Sequence, residues 1–298
     1  MAANTAFVIF LCCTWAIVQG QRVQDPSPVD AVKGVVSRVL GPKYVDMFQY
    51  DVIPADIFTN HDVFEVTELA GKPLLKGNTG VSLASAFNFY LKYYCFASIS
   101  WGRNGTGDQL SLPYPLPLPK TPVRVVSPVK YRYYMNVCTV SYSMVWWDWD
   151  RWQRELDWMA MNGINLPLSF TGQEYVWWQL YRKVGLTDEQ IFEYFSGPAF
   201  LAWQRMGNIK KWAGPLSESW CLAQRDLQMN ILARSRQLGM LSVLPGFAGH
   251  VPDALVTLYP GHKFIQTTTW GNFNDTYTKD YLLEPTDPLF VKLGNMFF

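Results

Sequence analysis

The sequence predicts an α/β protein: a small N-terminal α/β domain followed by the first part of an incomplete (β/α)8 barrel. Three observations lead there. Segments of helical period alternate with short β-branched and aromatic runs, the pattern of a parallel sheet with crossover helices. A single proline-rich stretch interrupts that alternation. Residues 129–298 then hold only three or four strand-like runs, whereas a complete barrel has eight and takes about 250 residues.

The elements follow in order. AFVIFLCCTWAIV (Ala6–Val18) is apolar but too short to span a bilayer comfortably. It reads as the h-region of a secretory signal, with Val18 and Gly20 small enough for cleavage after Gly20. The leading MAANT lacks Lys and Arg, and a short membrane anchor is the competing reading. SPVDAVKGVVSRVLG (Ser27–Gly41) has Val29, Val32, Val36 and Leu40 on one helical face, with Gly41 placed to close the end. Tyr44–Val52 and Asp62–Leu69 read as strands, and Ser82–Phe96 as a second helix. Pro113–Pro128 carries six prolines, each of which fixes φ and removes a donor, so it reads as a stiff connector. The expected organisation is therefore 1–20 signal peptide, 21–112 N-terminal domain, 113–128 linker and 129–298 truncated barrel.

Within the barrel part, Tyr133–Ser143 reads as the first strand and Ile164–Leu168 as the second. Between them lies a helix with Trp149, Trp152, Leu156 and Met159 on one face and charges on the other. A long helical stretch follows, up to about Gly207, then the clearest helix, Ser217–Gly239. Met240–Phe247 reads as a third strand, His262–Trp270 as an extended piece, and Asp287 as the start of a last helix.

Composition narrows the function. The chain has 298 residues, of which 49% are hydrophobic and 16% aromatic, enough for a large core. Its net charge of +1 carries no basic or acidic block, which argues against nucleic acid or an anionic membrane as partner. Without the signal, Cys95, Cys138 and Cys221 remain; at most one pair bridges, and no spacing suggests zinc or another cofactor. Asn104-Gly-Thr and Asn274-Asp-Thr are glycosylation sequons. Together with the signal they point to the secretory pathway and a lysosomal or secreted glycoprotein.

Sugar cleavage needs two carboxyl groups on opposite sides of one bond, so each candidate carboxylate is weighed. Glu174 follows the strand-like Ile164–Leu168, where barrel enzymes keep catalytic acids. Yet Thr171-Gly-Gln-Glu174 also fits a capping box, as does Thr187-Asp-Glu-Gln190. The cap is the simpler expectation, and a role capping one side while facing a sugar stays open. Asp148 and Asp150 suit a helix start; Glu155, Asp157, Glu218 and Asp226 are expected on polar helix faces. Asp253 fits a helix N-terminus or a place above a strand end, and His250 stands without a triad or metal set. Ten of the thirteen tryptophans fall between Trp146 and Trp220. Most are expected in the core; Trp203 and Trp270, outside any clean stripe, are the better candidates for stacking on a sugar. Asn136, Cys138 and Tyr142 would share one face of the first barrel strand by period two, with Cys138 equally readable as an inert thiol.

RYYMNVCTVSYSMVWWDWDRWQRELDWMAMNGINL, GQE, GPAFLAWQRMGN, LPGFAGHVPDA and TWGNFN resemble the lysosomal α-N-acetylglucosaminidase family, through most of residues 27–298. The resemblance implies a small α/β domain, a (β/α)8 barrel and a helical C-terminal domain. It implies a retaining glycoside hydrolase that removes terminal α-linked N-acetylglucosamine from heparan sulfate with two glutamates, uses no cofactor, and leaves room for a homo-oligomer of the full-length enzyme. The family's acid/base lies in an Asn-Glu pair, which this sequence lacks. No catalytic residue is therefore assigned, and the chain as it stands is expected to be inactive. Asn136, Cys138, Tyr142, Trp203, Met206 and Trp270 are the matched substrate-binding candidates, with Tyr90 a weaker one. Two other readings are a non-catalytic product that binds glycan or protein, and activity through an unrecognised pair such as Glu174 with Asp253.

Overall fold

A computed structural model describes residues 27–102 and 105–298; the signal segment and Asn104 lie outside the described residues. Helix α1 (Pro28–Leu40) begins where Ser27 accepts the Asp30 amide and Pro28 fits the first turn; it ends at Gly41, whose φ of 103° excludes most side chains. Its Val32, Val35 and Val36 are buried. The segment Tyr44–Val52 is a strand only in its second half: Pro42–Met47 forms a 3-10 turn, and β1 is Gln49–Val52. Strand β2 (Val63–Leu69) turns through Ala70-Gly71, both at positive φ, into β3 (Lys72–Gly77), a strand the sequence reading missed. Its apolar centre is only Pro73–Leu75, too short for a clear period. Helix α2 (Gly80–Tyr94) follows, capped by Thr79.

The proline-rich connector ends in a strand. β4 (Val123–Val126) pairs antiparallel with β2, giving the order β1-β3-β2-β4. As the edge strand, β4 needs only one partner, and the nearby prolines cost it no ladder bond. Helix α2 packs on α4 (Trp149–Met161), and α1 meets α8 (Glu218–Leu238). Arg38 grips the buried Asp157 of α4 with two hydrogen bonds, at 2.6 and 2.8 Å, and Asn88 donates to the Met161 carbonyl at 2.8 Å. One hydrophobic core runs from Val32 to Phe297. The N-terminal unit and the barrel unit thus share a core across the predicted linker.

The barrel portion is parallel. β5 (Tyr133–Tyr134) pairs with β6 (Leu166–Pro167), and Leu168 bridges in parallel to Val243. Three of the eight strand positions of a barrel are present among the described residues. The first is much shorter than Tyr133–Ser143. Asn136 Oδ1 accepts the Cys138 amide at 2.8 Å and Thr139 Oγ1 donates to the Asn136 carbonyl at 2.6 Å, so local bonds replace the ladder. The chain continues as α3 (Thr139–Tyr142) and a 3-10 turn at Met144–Trp146. Asp148 then caps α4.

The long helical stretch expected before Gly207 is broken into α5 (Gln173–Lys183), α6 (Asp188–Tyr194) and α7 (Leu201–Arg205). Gly185 and Gly197-Pro198 stand at the breaks. The predicted capping box at Thr187 forms with Gln190. After Val243, a small antiparallel sheet has the order β7 (His250–Val251), β9 (Tyr281–Leu283), β8 (Phe264–Gln266). It is bracketed by the helices α9 (Asp253–Leu258), α10 (Asp275–Thr278) and α11 (Pro288–Phe297). No helix among the described residues is long and apolar enough to cross a membrane.

Candidate functional site

The connections that leave the carboxyl ends of the parallel strands carry the site candidates. Asn136, Cys138 and Tyr142 follow β5, but on a turn and a short helix rather than on one strand face. Asn136 and Tyr142 are exposed and Cys138 is partly covered. What assembles the site is a line of rings. Tyr142 meets Trp203 edge-on at 5.7 Å, Trp203 lies 6.4 Å from Phe200, and Phe200 stacks on Trp212 at 5.6 Å. Trp212 meets Phe273 edge-on at 5.1 Å, and Phe273 lies 5.8 Å from Trp270. Three candidates far apart in sequence, Tyr142, Trp203 and Trp270, thus join one continuous aromatic surface, with Met206 exposed at the same turn as Trp203. The bridging rings Phe200, Trp212 and Phe273 went unremarked in the sequence. Their only signal was aromatic residues in loops rather than on helix stripes.

Tyr90 does not belong there. It is fully buried in the core, and its hydroxyl donates to the Pro117 carbonyl at 2.9 Å.

The Trp203 turn is fixed from several sides. The Ala202 amide donates to Ser141 Oγ at 2.9 Å, which ties α7 to α3. The Ser196 amide donates to the Gln204 carboxamide oxygen. Arg205 donates to Glu174 through Nε and Nη2, both at 2.8 Å, and its guanidinium lies 5.0 Å from the Phe170 ring. Glu174 is therefore not a cap. Helix α5 starts at Gly172, in the left-handed region, with no side-chain cap bond. The buried carboxylate is turned inward as the partner of Arg205. The planar fork of an arginine holds a carboxylate at two points, which no cap geometry offers.

Other carboxylates also differ from the sequence reading. Glu155 and Asp157, expected on polar faces, are buried. Tyr134 donates to Glu155 at 3.0 Å and Arg151 lies beside it at 3.0 Å; burial nevertheless pushes its carboxyl upward. Asp157 pairs with Arg38, and burial raises its carboxyl too. Asp253 begins α9 and is held by Lys210, with Lys211 at 3.6 Å. Glu174 and Asp253 are thus each engaged by a cation of their own, on different helices. Cys95, Cys138 and Cys221 are all free thiols, and burial pushes Cys221 up to about 12. Among the described residues no three metal-ligating side chains cluster.

Two family descriptions match the chain: "Alpha-N-acetylglucosaminidase (NAGLU) N-terminal domain" over residues 30–118 and "Alpha-N-acetylglucosaminidase (NAGLU) tim-barrel domain" over residues 132–298. The chain belongs to the alpha-N-acetylglucosaminidase family. It is 44% identical over 271 residues to the alpha-N-acetylglucosaminidase of Homo sapiens, covering 90% of this chain and 36% of that protein. Among solved structures it is similar to a family 89 glycoside hydrolase from Clostridium perfringens in complex with PUGNAc. The TM-score is 0.83 at 35% identity, over 91% of this chain and 30% of that one. The same figures hold for a form of that Clostridium perfringens enzyme with two Glu-to-Gln substitutions, in complex with its substrate GlcNAc-alpha-1,4-galactose. The chain therefore spans about a third of the length of these relatives. The alpha-N-acetylglucosaminidase family is one of glycoside hydrolases, and the α/β architecture with its partial barrel matches its domains.

Proposed function

We propose that this chain forms the sugar-binding side of an exo-α-N-acetylglucosaminidase site, taking a terminal α-linked N-acetylglucosamine on the surface formed by Tyr142, Trp203 and Trp270. The observation that carries the reading is that ring line, running across connections that leave the parallel strands in a chain of this family. Aromatic faces suit a pyranose because its axial C–H groups form an apolar patch, while a carboxamide such as that of Asn136 suits its hydroxyls. Cys138 and Met206 would pack the acetamido methyl or the ring. A relative is solved with GlcNAc-alpha-1,4-galactose as substrate, which supports an α-linked N-acetylglucosamine here; heparan sulfate, whose chains present the same terminal sugar, is the natural substrate proposed.

The catalytic pair is assigned to glutamates outside these 298 residues, acting with retention. Glu174 is held at both oxygens by Arg205 and Asp253 is paired with Lys210 and Lys211, so neither stands as an uncommitted carboxylate. The chain alone is expected to bind and not to hydrolyse. Calorimetric titration with GlcNAc-alpha-1,4-galactose, alongside release of N-acetylglucosamine, tests both halves. Trp203→Ala should weaken binding at least about tenfold, some 1.4 kcal/mol, with the fold retained by circular dichroism. Unchanged affinity in that variant removes Trp203 from the site; hydrolysis by the wild-type chain removes the division of labour.

The assigned route is secretory, ending in the lysosome or outside the cell. It rests on the apolar Ala6–Val18 run and on Asn274, which is exposed and caps α10 through its carboxamide oxygen. Mass spectrometry of the chain from eukaryotic cells should show a start at Gln21 and a glycan at Asn274. An intact Met1 or an unmodified Asn274 would count against it.

A further inference from the structure

The other end of the Trp203 turn rests on a histidine. Gly207 has a φ of 73°, and a Cβ built on it would overlap the His250 imidazole, Nδ1, Cε1 and Nε2 alike. The ring therefore occupies the place where a side chain at position 207 would go, directly against the backbone that carries Met206. His250 sits on β7, and Tyr181 Oη donates to its carbonyl at 3.1 Å. Its Nδ1 is buried and makes no hydrogen bond among the described residues, yet stands only 3.7 Å from Asp280 Oδ2.

Asp280 is fully buried. Tyr194 Oη donates to its Oδ2 at 2.9 Å and the Tyr281 amide to its Oδ1 at 2.9 Å. The remaining charged groups around the pair are Lys210 and Asp253, both acting on Asp280 at longer range. Beyond Gly207, Arg205 and Glu174 share a small cavity with His250 and Tyr194. The arginine and Glu174 neutralise one another, which leaves His250 and Asp280 facing across a gap with no fixed partner for Nδ1. With the imidazole's own proton on Nε2, Nδ1 and the carboxylate both present lone pairs, and closing the 3.7 Å gap to a hydrogen bond takes up a proton from solvent between them.

We propose that His250 is a positioning residue for the glycan-binding turn: its ring supports Gly207, and a proton taken up between His250 Nδ1 and Asp280 fixes Trp203 and Met206 in their binding arrangement. With that proton the ring gains a second anchor on Asp280, the residue before β9. Without it, a buried nitrogen faces a buried carboxylate across an open contact and the support under Gly207 loosens. Burial acts in the same direction, pushing Asp280 up to about 7, so the proton enters as a neutral solution is acidified. The imidazole itself is held down by burial and is not the first group to charge. This rests on the reading of the Trp203 turn as part of the sugar site.

The test uses the 298-residue chain and GlcNAc-alpha-1,4-galactose as probe, between pH 5 and 8. Wild type should lose affinity about tenfold, a usual size for coupling between two sites, as the pH rises through the titration of the pair. His250→Gln and Asp280→Asn should each flatten that profile. Wild-type profiles in both variants overturn the proposal. A second measurement needs no ligand: the Trp203 indole N–H resonance, identified by its loss in Trp203→Phe. It should shift with pH in wild type and stay fixed in His250→Gln. Absence of binding at every pH, with the indole still responding, overturns the sugar-site reading and keeps the positioning role. A Trp203 resonance blind to pH in wild type overturns the positioning role, even if the chain unfolds in one of the variants.

Discussion

Replacing Glu174 by alanine is expected to destabilise the chain by about 3–5 kcal/mol, because it strands the Arg205 guanidinium without its partner in the interior. Both side chains are nearly inaccessible, at 9% for Arg205 and 3% for Glu174, so bulk solvent does not screen the stranded charge. Arg205 Nη1 already lacks a partner among the described residues, so removing Glu174 leaves all three guanidinium nitrogens without one. Sugar binding should fall with stability, since Arg205 ends α7, the helix that presents Trp203. The contrast is Thr171→Ala. If Glu174 acted through a capping box with Thr171, losing the threonine would cost roughly 1 kcal/mol. The structure gives Thr171 no cap bond on α5, so its replacement should stay within about 0.5 kcal/mol. Denaturant melts of the two variants decide the matter, and equal small losses in both would sink the ion-pair account. Arg205→Lys should recover only part of the stability, because an ammonium makes no two-point contact.

The second large effect is a pH dependence set by Asp280. Its folded carboxyl is raised from the ordinary 3.8 to about 7 by burial. A raised folded value means the folded state binds the proton more tightly. The stability it contributes is fully present below the unfolded value and is lost as pH rises through the folded one. Melting temperature should therefore climb as pH falls from 8; a shift of this size is worth about 4 kcal/mol in full, of which at most about 2.7 kcal/mol falls between pH 8 and 5. His250 works the other way. Burial lowers it, so its contribution is present above the ordinary value of 6.5 and is lost as pH falls through its lowered one. Below 6.5 the two oppose one another, so the net gain in stability is concentrated just below neutrality. Asp280→Asn, which imitates the protonated acid, should abolish most of the slope between pH 8 and 5 and melt higher than wild type at pH 8. A wild-type slope in that variant would mean that other groups carry the dependence.

Much of the fold was legible because it depends on neighbours in sequence. Ser27, Gly41 and the valines of α1 identify that helix, and Thr187 with Gln190 identifies the start of α6, since caps and helical faces are local geometry. Long aromatic blocks sufficed for the family, and the small number of strand runs for the partial barrel. Local reasoning failed where two solutions competed within a few residues. Asn136 and Thr139 chose turn bonds over a strand, and a strand forming at Val123–Val126 depended on β2, some 60 residues away.

The sequence by itself determined the fold class, through residue type and short-range period, and the family, through the resemblance of its long aromatic blocks, from which the aromatic candidates were also named. Only the tertiary structure decided which polar groups are buried and with whom. Glu174 found Arg205 across 31 residues, Asp157 found Arg38 across 119, and Asp280 came to rest beside Tyr194 and His250. A carboxylate looks the same in a sequence whether it faces water or an arginine. The cost of burying it is set by groups brought close in space, and that proximity exists only once the chain has closed around them.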